Sequence, residues 1–537
     1  MPTRHTANFK QGRGGQRGAV LMVMLVLLVV SVAAILVNSL TTTSLKNARQ
    51  AQTAAALAQA KAALIDRAVA DLTSPGSLPC PDALTNIPGN IPGDGIADLF
   101  SGNQCPSYIG KLPWKTLGLP DLLDGSGEEL WYALSPNFRD FASVAPINSD
   151  TQGTLNVTGT APANNVIAIV FSAGSPLSGQ NRSSTPVACV TTGTSISANL
   201  CGTNYLEGSN ASLSTAASLN SAYQTAASSS AFNDQMIYIT HDALFPPVER
   251  RIAREAKACL DNYAAVSTNK YPWAAPTADS SSSPGINGNY NGTYGKYFGR
   301  LPVQPNIDTS PPNPGSASQL MTALNTLQAA ESAYQSINSS ANQTALYNAA
   351  NTVIGMKSWV SSVSSTTIDH AGDYGNYYAN GSVSYTTAAG YVTTAVNAVN
   401  SSGNLDLSMS ISWPASCTLL NNPGSYFWAA WKNMVFFQVA SGYQPGGSGP
   451  PTPGTLTING SGAYRATVLI ARVAISSAQL AARGTPSTSP PTPYLEGLNP
   501  HSNSALTTTF ETYRPTDSNY TTVNDLVLCL DGGNQCP

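Results

Sequence analysis

Three aspartates in a glycine-containing stretch are the clearest candidate cation ligands in this chain of 537 residues. Asp82, Asp94 and Asp98 lie in "CPDALTNIPGNIPGDGIADLF", where Gly93 and Gly95 allow a tight loop. Calcium prefers carboxylate oxygens, but three are few for this ion and their order does not match an EF-hand loop. The stretch is therefore interpreted either as a calcium site or as an Asx turn without a metal.

The cysteines form a second chemical pattern. They number eight, and no CxxC motif or paired histidine spacing suggests a zinc site. Disulfides in an oxidising compartment are the favoured interpretation, and reduced thiols in a cytosolic protein are the alternative. Three pairs would each close a loop within one motif, and the fourth takes the remaining cysteines: Cys80 with Cys105, Cys189 with Cys201, Cys529 with Cys536, and Cys259 with Cys417.

Residues typical of enzymes are scarce. None of the four histidines lies in a motif with a nucleophile, and "FSAGSPLSG" does not meet the G-x-S-x-G pattern. Glu207 and Glu496 each occur in a "YLEG" sequence, where a glutamate that accepts backbone donors at a turn is the simpler interpretation. With 10% charged residues and a net charge of −3, the chain shows no basic face for nucleic acid. We expect no catalytic residue, no cofactor other than the calcium considered above, and no enzyme activity.

A long apolar run precedes all of these candidate residues except His5. From Ala19 to Val37 every residue except Ser31 is apolar, and this length forms about 28 Å of helix, enough to cross a hydrocarbon core. Basic residues before the run predict a cytoplasmic N-terminus. No proline or glycine follows until Pro75, so the helix should continue beyond the membrane, with an apolar stripe that includes Leu64.

This N-terminus, with a basic leader that ends at Gly18 in "QRGAVLMV", resembles those of type IV pilins and type II secretion pseudopilins of Gram-negative bacteria. The resemblance implies that prepilin peptidase cleaves between Gly18 and Ala19. Most major pilins carry Glu at the fifth mature residue, but this chain has Val23. The departure implies a minor pilin or pseudopilin at or near a fibre tip. The implied partners are other pilin-class subunits, prepilin peptidase and the inner-membrane assembly platform.

The rest of the chain repeats itself. Six short motifs recur in the same order, among them "GKLPW" and "GRLPV", "GTLNVTG" and "GTLTING", "YLEGSN" and "YLEGLN", and "NDQMIYI" and "NDLVLCL". The chain is predicted to be α+β, with a long transmembrane and amphipathic helix and two tandem pilin-like domains of helix plus antiparallel sheet. The predicted segments are a leader (1–18), the helix (19–72), a first domain (73–245), and a second domain (246–537) with an insertion at about 304–421.

These patterns favour one functional class and leave a second open. The favoured class is a non-catalytic minor pilin or pseudopilin subunit that acts in assembly or surface contact. Its location would be the inner membrane, as a single-pass protein with a periplasmic body, or the cell surface in an assembled fibre. The alternative is a single-pass membrane-anchored adhesin or binding protein that does not polymerise. The sequence does not distinguish a pilus from a secretion pseudopilus or a DNA-uptake apparatus.

Overall fold

The protein is mixed α+β. The computed structural model describes residues 17–82, 91–99, 103–141, 146–184, 186–188, 195–197, 200–212, 222–267, 269–275, 277, 297–302, 317–337, 339–355, 413–421, 426–444, 454–483, 491–502 and 509–531. The helices are α1 (Arg17–Ala70), α2 (His241–Val266), α3 (Ala317–Ser336), α4 (Ser340–Gly355), α5 (Thr418–Asn421), α6 (Tyr426–Trp431) and α7 (Ser477–Arg483). The strands are β1 (Ile109–Lys111), β2 (Trp131–Leu134), β3 (Leu155–Gly159), β4 (Ala163–Val166), β5 (Ala168–Ser172), β6 (Pro186–Ala188), β7 (Ser195–Ser197), β8 (Ala222–Thr225), β9 (Gln235–Ile239), β10 (Phe298–Arg300), β11 (Val435–Val439), β12 (Leu456–Ile458), β13 (Ser461–Tyr464), β14 (Ala466–Ile470), β15 (Thr509–Phe510) and β16 (Leu526–Leu530).

Helix α1 is continuous over 54 residues, close to the predicted range of 19–72. It ends where the Asp71 carboxylate accepts hydrogen bonds from the backbone N–H groups of Thr73 (2.9 Å) and Ser74 (2.7 Å). The predicted stripe is confirmed in its C-terminal half, because Ala60 and Leu64 are completely buried. Within the part of the chain that the structure describes, no helix combines the length and the hydropathy needed to span a membrane.

The first unit of the fold combines α1 with a four-stranded antiparallel sheet in the order β1-β2-β5-β9. Its central strands pair in the register Trp131↔Phe171 to Leu134↔Ala168. Every residue of these two strands is buried, as expected for a sheet that is covered on both faces. A smaller sheet, β4-β3-β8, lies beside this one and contains an antiparallel hairpin and one parallel pair.

The second unit repeats this topology. Helix α2 packs on an antiparallel sheet in the order β10-β11-β14-β16, and a smaller sheet, β13-β12-β15, again combines an antiparallel hairpin with a parallel pair. The motifs that recur in the sequence occupy matching places, since "GTLNVTG" ends in β3 and "GTLTING" contains β12. The duplication inferred from the sequence is therefore present in the fold.

The two units share one hydrophobic core. Leu64 of α1, Ile252 of α2, Val170 of the first sheet and Leu469 of the second belong to the same cluster of buried side chains. The second unit begins at His241, five residues before the predicted boundary, since Pro246 and Pro247 lie inside α2. A proline usually marks a helix start, which is why the sequence placed the boundary there.

The described part of the predicted insertion contains a helical hairpin. Helices α3 and α4 pack on each other, and Leu327 and Leu346 are completely buried. Leu327 of α3 and Leu346 of α4 are therefore core positions of this hairpin. Residues 356–412 of the insertion lie outside the described residues.

Candidate functional site

The predicted processing site lies at the start of α1. Gly18, Ala19 and Val23 fall in its first two turns, but their side chains are outside the described residues. Two apolar residues of this segment that the structure describes are exposed, Met24 by 68% and Leu28 by 62%.

In the described part of the aspartate loop, the oxygens of Asp82 and Asp94 accept hydrogen bonds from backbone N–H groups. Asp82 is completely buried, and its two carboxylate oxygens accept hydrogen bonds from the N–H groups of Gly93 (2.8 Å) and Gly95 (2.6 Å). Asp94 closes an Asx turn by accepting from the N–H of Ile96 (2.9 Å). Burial raises the pKa of Asp82 to about 6, against the opposing effect of these donors.

These donors use the Asp82 oxygens that a cation would need. Asp98 is buried, at 6% exposure. Within the described residues, no three His, Cys, Asp or Glu side chains are grouped so that they could hold a metal ion. The calcium site stays a prediction.

Two of the four predicted disulfides are confirmed. The structure contains the bonds Cys80–Cys105 and Cys259–Cys417. The second bond ties helix α2 to the C-terminal end of the predicted insertion. Cys201 and Cys529 are also disulfide-bonded, but their predicted partners, Cys189 and Cys536, lie outside the described residues.

In the first unit, the "YLEG" turn is joined to the start of the edge strand β9 by a group of side chains that we call the first acid cluster: Gln180, Glu207, Asn210 and Asp234. The N–H of Glu207 donates to Asp234 Oδ2 (2.9 Å), and so does Asn210 Nδ2 (2.9 Å). In return, Glu207 Oε2 accepts from the N–H groups of Asn233 (3.0 Å) and Asp234 (3.1 Å). Glu207 thus has the structural role that the sequence suggested.

The second unit contains the equivalent second acid cluster: Gln479, Glu496, Asn499 and Asp525. The N–H of Glu496 donates to Asp525 Oδ2 (2.8 Å), and Asn499 Nδ2 donates to the same atom (3.0 Å). The amide of Gln479 donates to Glu496 Oε1, as Gln180 donates to Glu207 in the first unit. The same side chains therefore perform the same task at the start of β16.

Each acid cluster lies beside a buried cation on an aromatic ring. Lys111 Nζ is 4.1 Å from the ring centre of Tyr205 in the first unit, and Arg300 Cζ is 5.0 Å from that of Tyr494 in the second. Both cations come from the repeated "GKLPW" and "GRLPV" motifs. Three pairs of sequence repeats thus meet at one place in each unit.

Burial of the acid clusters changes their protonation. It raises the pKa of Asp234 to about 8, and the nearby charge of Glu207 acts in the same direction. In the second cluster burial raises the pKa of Asp525 well above its ordinary value, and the charge of Glu496 adds to this effect. In each pair, burial and the neighbouring like charge therefore favour a shared proton. Asp234 is 6% exposed and Asp525 is completely buried, so the paired acids have little access to solvent. Their role is to hold the turn through the hydrogen bonds described above.

A buried ion pair of the second unit is linked to the first unit through Ser149. Arg472 Nε, at the end of β14, lies 2.8 Å from Glu249 Oε2 in α2, and Ser149 Oγ of the first unit donates to Glu249 Oε1 (2.9 Å). The next residue, Asp150, pairs with Arg483 Nη1 of the second unit at 2.5 Å. The first unit therefore supplies both a hydroxyl and a carboxylate to the second.

Two histidines have packing roles. The ring of His241 stacks on Phe245 at 4.4 Å between centres, and its Nε2 lies 2.7 Å from the carbonyl oxygen of Ser149. His501 packs on Phe298 and Phe510, and burial lowers its pKa. Neither ring lies in the acid clusters.

Sequence reasoning missed several residues of these networks. Asn210 and Asn499 end the repeated "YLEGSN" and "YLEGLN" motifs, and Asp234 and Asp525 belong to the repeated "ND" pairs, so the duplication was a usable signal. Arg472 has no such signal, because its partner lies more than 200 positions away in the chain.

Comparison of the chain with protein-family models, with curated proteins and with solved structures finds no match in any of the three.

Proposed function

We propose that this chain is a non-catalytic minor pilin or pseudopilin subunit that acts in fibre assembly or surface contact. One observation carries the proposal: a basic leader ending at Gly18 adjoins an apolar run, and this run is the first half of a continuous helix, Arg17–Ala70. The second half of that helix packs on an antiparallel sheet. A single helix can then serve as membrane anchor before assembly and as fibre core afterwards.

The exposed apolar residues of α1 support this use of the helix. Met24, Leu28 and Val29 have exposures of 68%, 62% and 57%. Removing a large apolar side chain from water is worth about 1.5–3 kcal/mol, so this segment gains by entering lipid or by packing on the helices of neighbouring subunits. The inner membrane and pilin-class subunits are the corresponding proposed locations and partners.

The second unit supports a terminal position in the fibre. It shares a core with the first unit, so the two move as one enlarged body on a single assembly helix. Val23 also lacks the carboxylate that would neutralise a buried amino terminus, and an unpaired charge in an apolar bundle is costly. Both features suit a subunit of low copy number at or near the tip.

The mature N-terminus tests the proposal. Mass spectrometry of the protein from membranes should find a chain that begins at Ala19, and Gly18→Val should leave the leader attached. Gly15→Val is the matched control, because it changes another glycine of the leader three residues before the cleavage site. A mature chain that begins near Asn38 would indicate ordinary signal peptidase and would contradict the proposal.

The subunit composition of sheared fibres distinguishes a fibre-tip subunit from an anchored binding protein that does not polymerise. A tip subunit should be present there in a small ratio to the major subunit. A chain that is cleaved before Ala19 but stays in the membrane fraction would instead be an anchored binding protein that does not polymerise. A ratio near one to one along the fibre would contradict the tip position.

A further inference from the structure

An open groove of about 410 Å³ lies between the C-terminal end of α1 and the outer face of α2. Val69 of α1 and Pro247 and Ala258 of α2 form its apolar walls, and three arginines of α2 and Glu255, which is paired with one of them, complete the lining. The arginines fall within five positions of the sequence "ERRIARE", in a chain where only 10% of residues are charged. The groove therefore concentrates positive charge beside an apolar surface.

One of these arginines, Arg251, already has hydrogen-bond and ion-pair partners within the protein. Arg251 donates to the carbonyl oxygens of Val69 and Asp71, the latter at 2.6 Å, and pairs with Glu255 at 2.7 Å. It fixes the end of α1 to α2. Arg251 is thus a structural residue of the groove wall.

Arg250 and Arg254 have no such task. Both are exposed, and no carboxylate among the described residues lies within ion-pair distance of either. The neighbouring cation Lys257, by contrast, is paired with Asp261 at 2.7 Å. Like charges four residues apart destabilise a helix, so this pair is unfavourable for the isolated chain.

The size of the charged surface selects among anionic partners. A nucleic acid is bound by a track of many basic residues, and an acidic lipid surface by clusters of about 4–8. Here two arginines are free of partners among the described residues, and apolar walls adjoin them. Residues four apart on a helix have Cβ atoms about 6 Å apart. Arg250 and Arg254 therefore match two carboxylates on one face of a peptide, with an apolar side chain between them.

We propose that this groove binds a segment of a partner protein in which two acidic side chains, about one helical turn apart, flank an apolar one. The carboxylates pair with Arg250 and Arg254, and the apolar side chain contacts Val69 and Pro247. The inference uses only the geometry of α1 and α2, and it does not depend on whether the chain enters a fibre.

The test is binding of a fluorescein-labelled helical peptide with Glu and Leu on one face to the full chain in detergent micelles, measured by anisotropy. Arg250→Gln with Arg254→Gln should weaken binding by roughly fivefold or more, the value of one to two exposed ion pairs. Arg514→Glu is the matched control, because it makes the same change in net charge at an exposed site in another part of the second unit. This control should bind as the wild type does.

Four comparison probes decide the nature of the partner. A peptide with Gln in place of Glu should bind at least fivefold more weakly, and so should an all-Glu peptide without Leu. Equal binding of the acidic peptide to the wild type and to the double variant would overturn the proposal. Tighter binding of a single-stranded oligonucleotide or of phosphatidylglycerol vesicles, lost in the same double variant, would overturn it in favour of those ligands.

Discussion

Arg472→Met tests the buried ion pair of the second unit that accepts a hydrogen bond from Ser149 of the first. Arg472 and Glu249 have exposures of 5% and 1%, so the substitution leaves a buried carboxylate without its cation. Removing one partner of a buried ion pair typically costs about 3–5 kcal/mol. The loss has a ceiling here, because Glu249 can take up a proton in place of the lost cation.

The upper limit of this loss of stability is the free energy needed to protonate Glu249. Burial raises the pKa of Glu249 from 4.5 even with Arg472 present, and the rise should be larger without it. Protonating a group of unfolded pKa 4.5 costs about 1.4 kcal/mol per pH unit, or about 3.4 kcal/mol at pH 7 and about 0.7 kcal/mol at pH 5. A raised folded pKa gives stability that is present at low pH and is lost as pH rises. The deficit of Arg472→Met should therefore shrink from pH 7 to pH 5 by at most about 2.7 kcal/mol, because the raised pKa of Glu249 makes the wild type gain some stability over the same range.

Urea unfolding followed by tryptophan fluorescence at both pH values measures this deficit. Two controls accompany it. Lys257→Met breaks the exposed pair with Asp261 and should cost less than about 1 kcal/mol at either pH. Arg472→Met combined with Glu249→Gln removes the charge as well and should abolish the pH dependence. A deficit of Arg472→Met that is the same at pH 5 and pH 7 would refute the reasoning.

Two further predictions concern the acid clusters and the aspartate loop. Asp234→Asn fixes the neutral form of a group whose folded pKa is about 8, so its stability relative to the wild type should rise by up to about 1.4 kcal/mol per pH unit between pH 5 and pH 8. Asp525→Asn should show the same sign in urea unfolding, and a flat pH profile for both variants would contradict the shared proton. Gly95→Ala should lower the thermal midpoint more than Gly118→Ala, because both glycines have positive φ but only at Gly95 would a Cβ approach the Trp114 ring, at 2.5 Å. The left-handed conformation costs about 1–2 kcal/mol in both variants, and the clash adds about 1–3 kcal/mol in the first.

Local patterns were enough to predict the parts of the fold that depend on neighbours along the chain. The absence of proline and glycine after Ala19 predicted one long helix, and the spacing of Leu64 and its neighbours predicted the buried face. The repeated motifs predicted two units because "GKLPW" and "GRLPV" overlap the first strand of each four-stranded sheet, and "NDQMIYI" and "NDLVLCL" contain the last. Loop closure within one motif predicted Cys80–Cys105.

The meeting of the motifs was decided only by the tertiary structure. The sequence shows "YLEG" and "ND" as separate repeats, but the edge strands β9 and β16 bring Asp234 to Glu207 and Asp525 to Glu496. Strand order in a sheet depends on packing between distant segments, and no local periodicity encodes it. The shared proton of each acid cluster follows from that burial.

The sequence by itself determined the long helix, the duplication and the apolar run near the N-terminus. The tertiary structure decided that both units share one core, that Glu249 pairs with Arg472, and that Arg250 and Arg254 line a groove without an ion pair to either of them among the described residues. The physical reason is the separation along the chain over which each effect acts. Helix propensity, periodicity and turn chemistry act over a few residues, whereas burial and charge pairing depend on which distant segments the folded chain brings together.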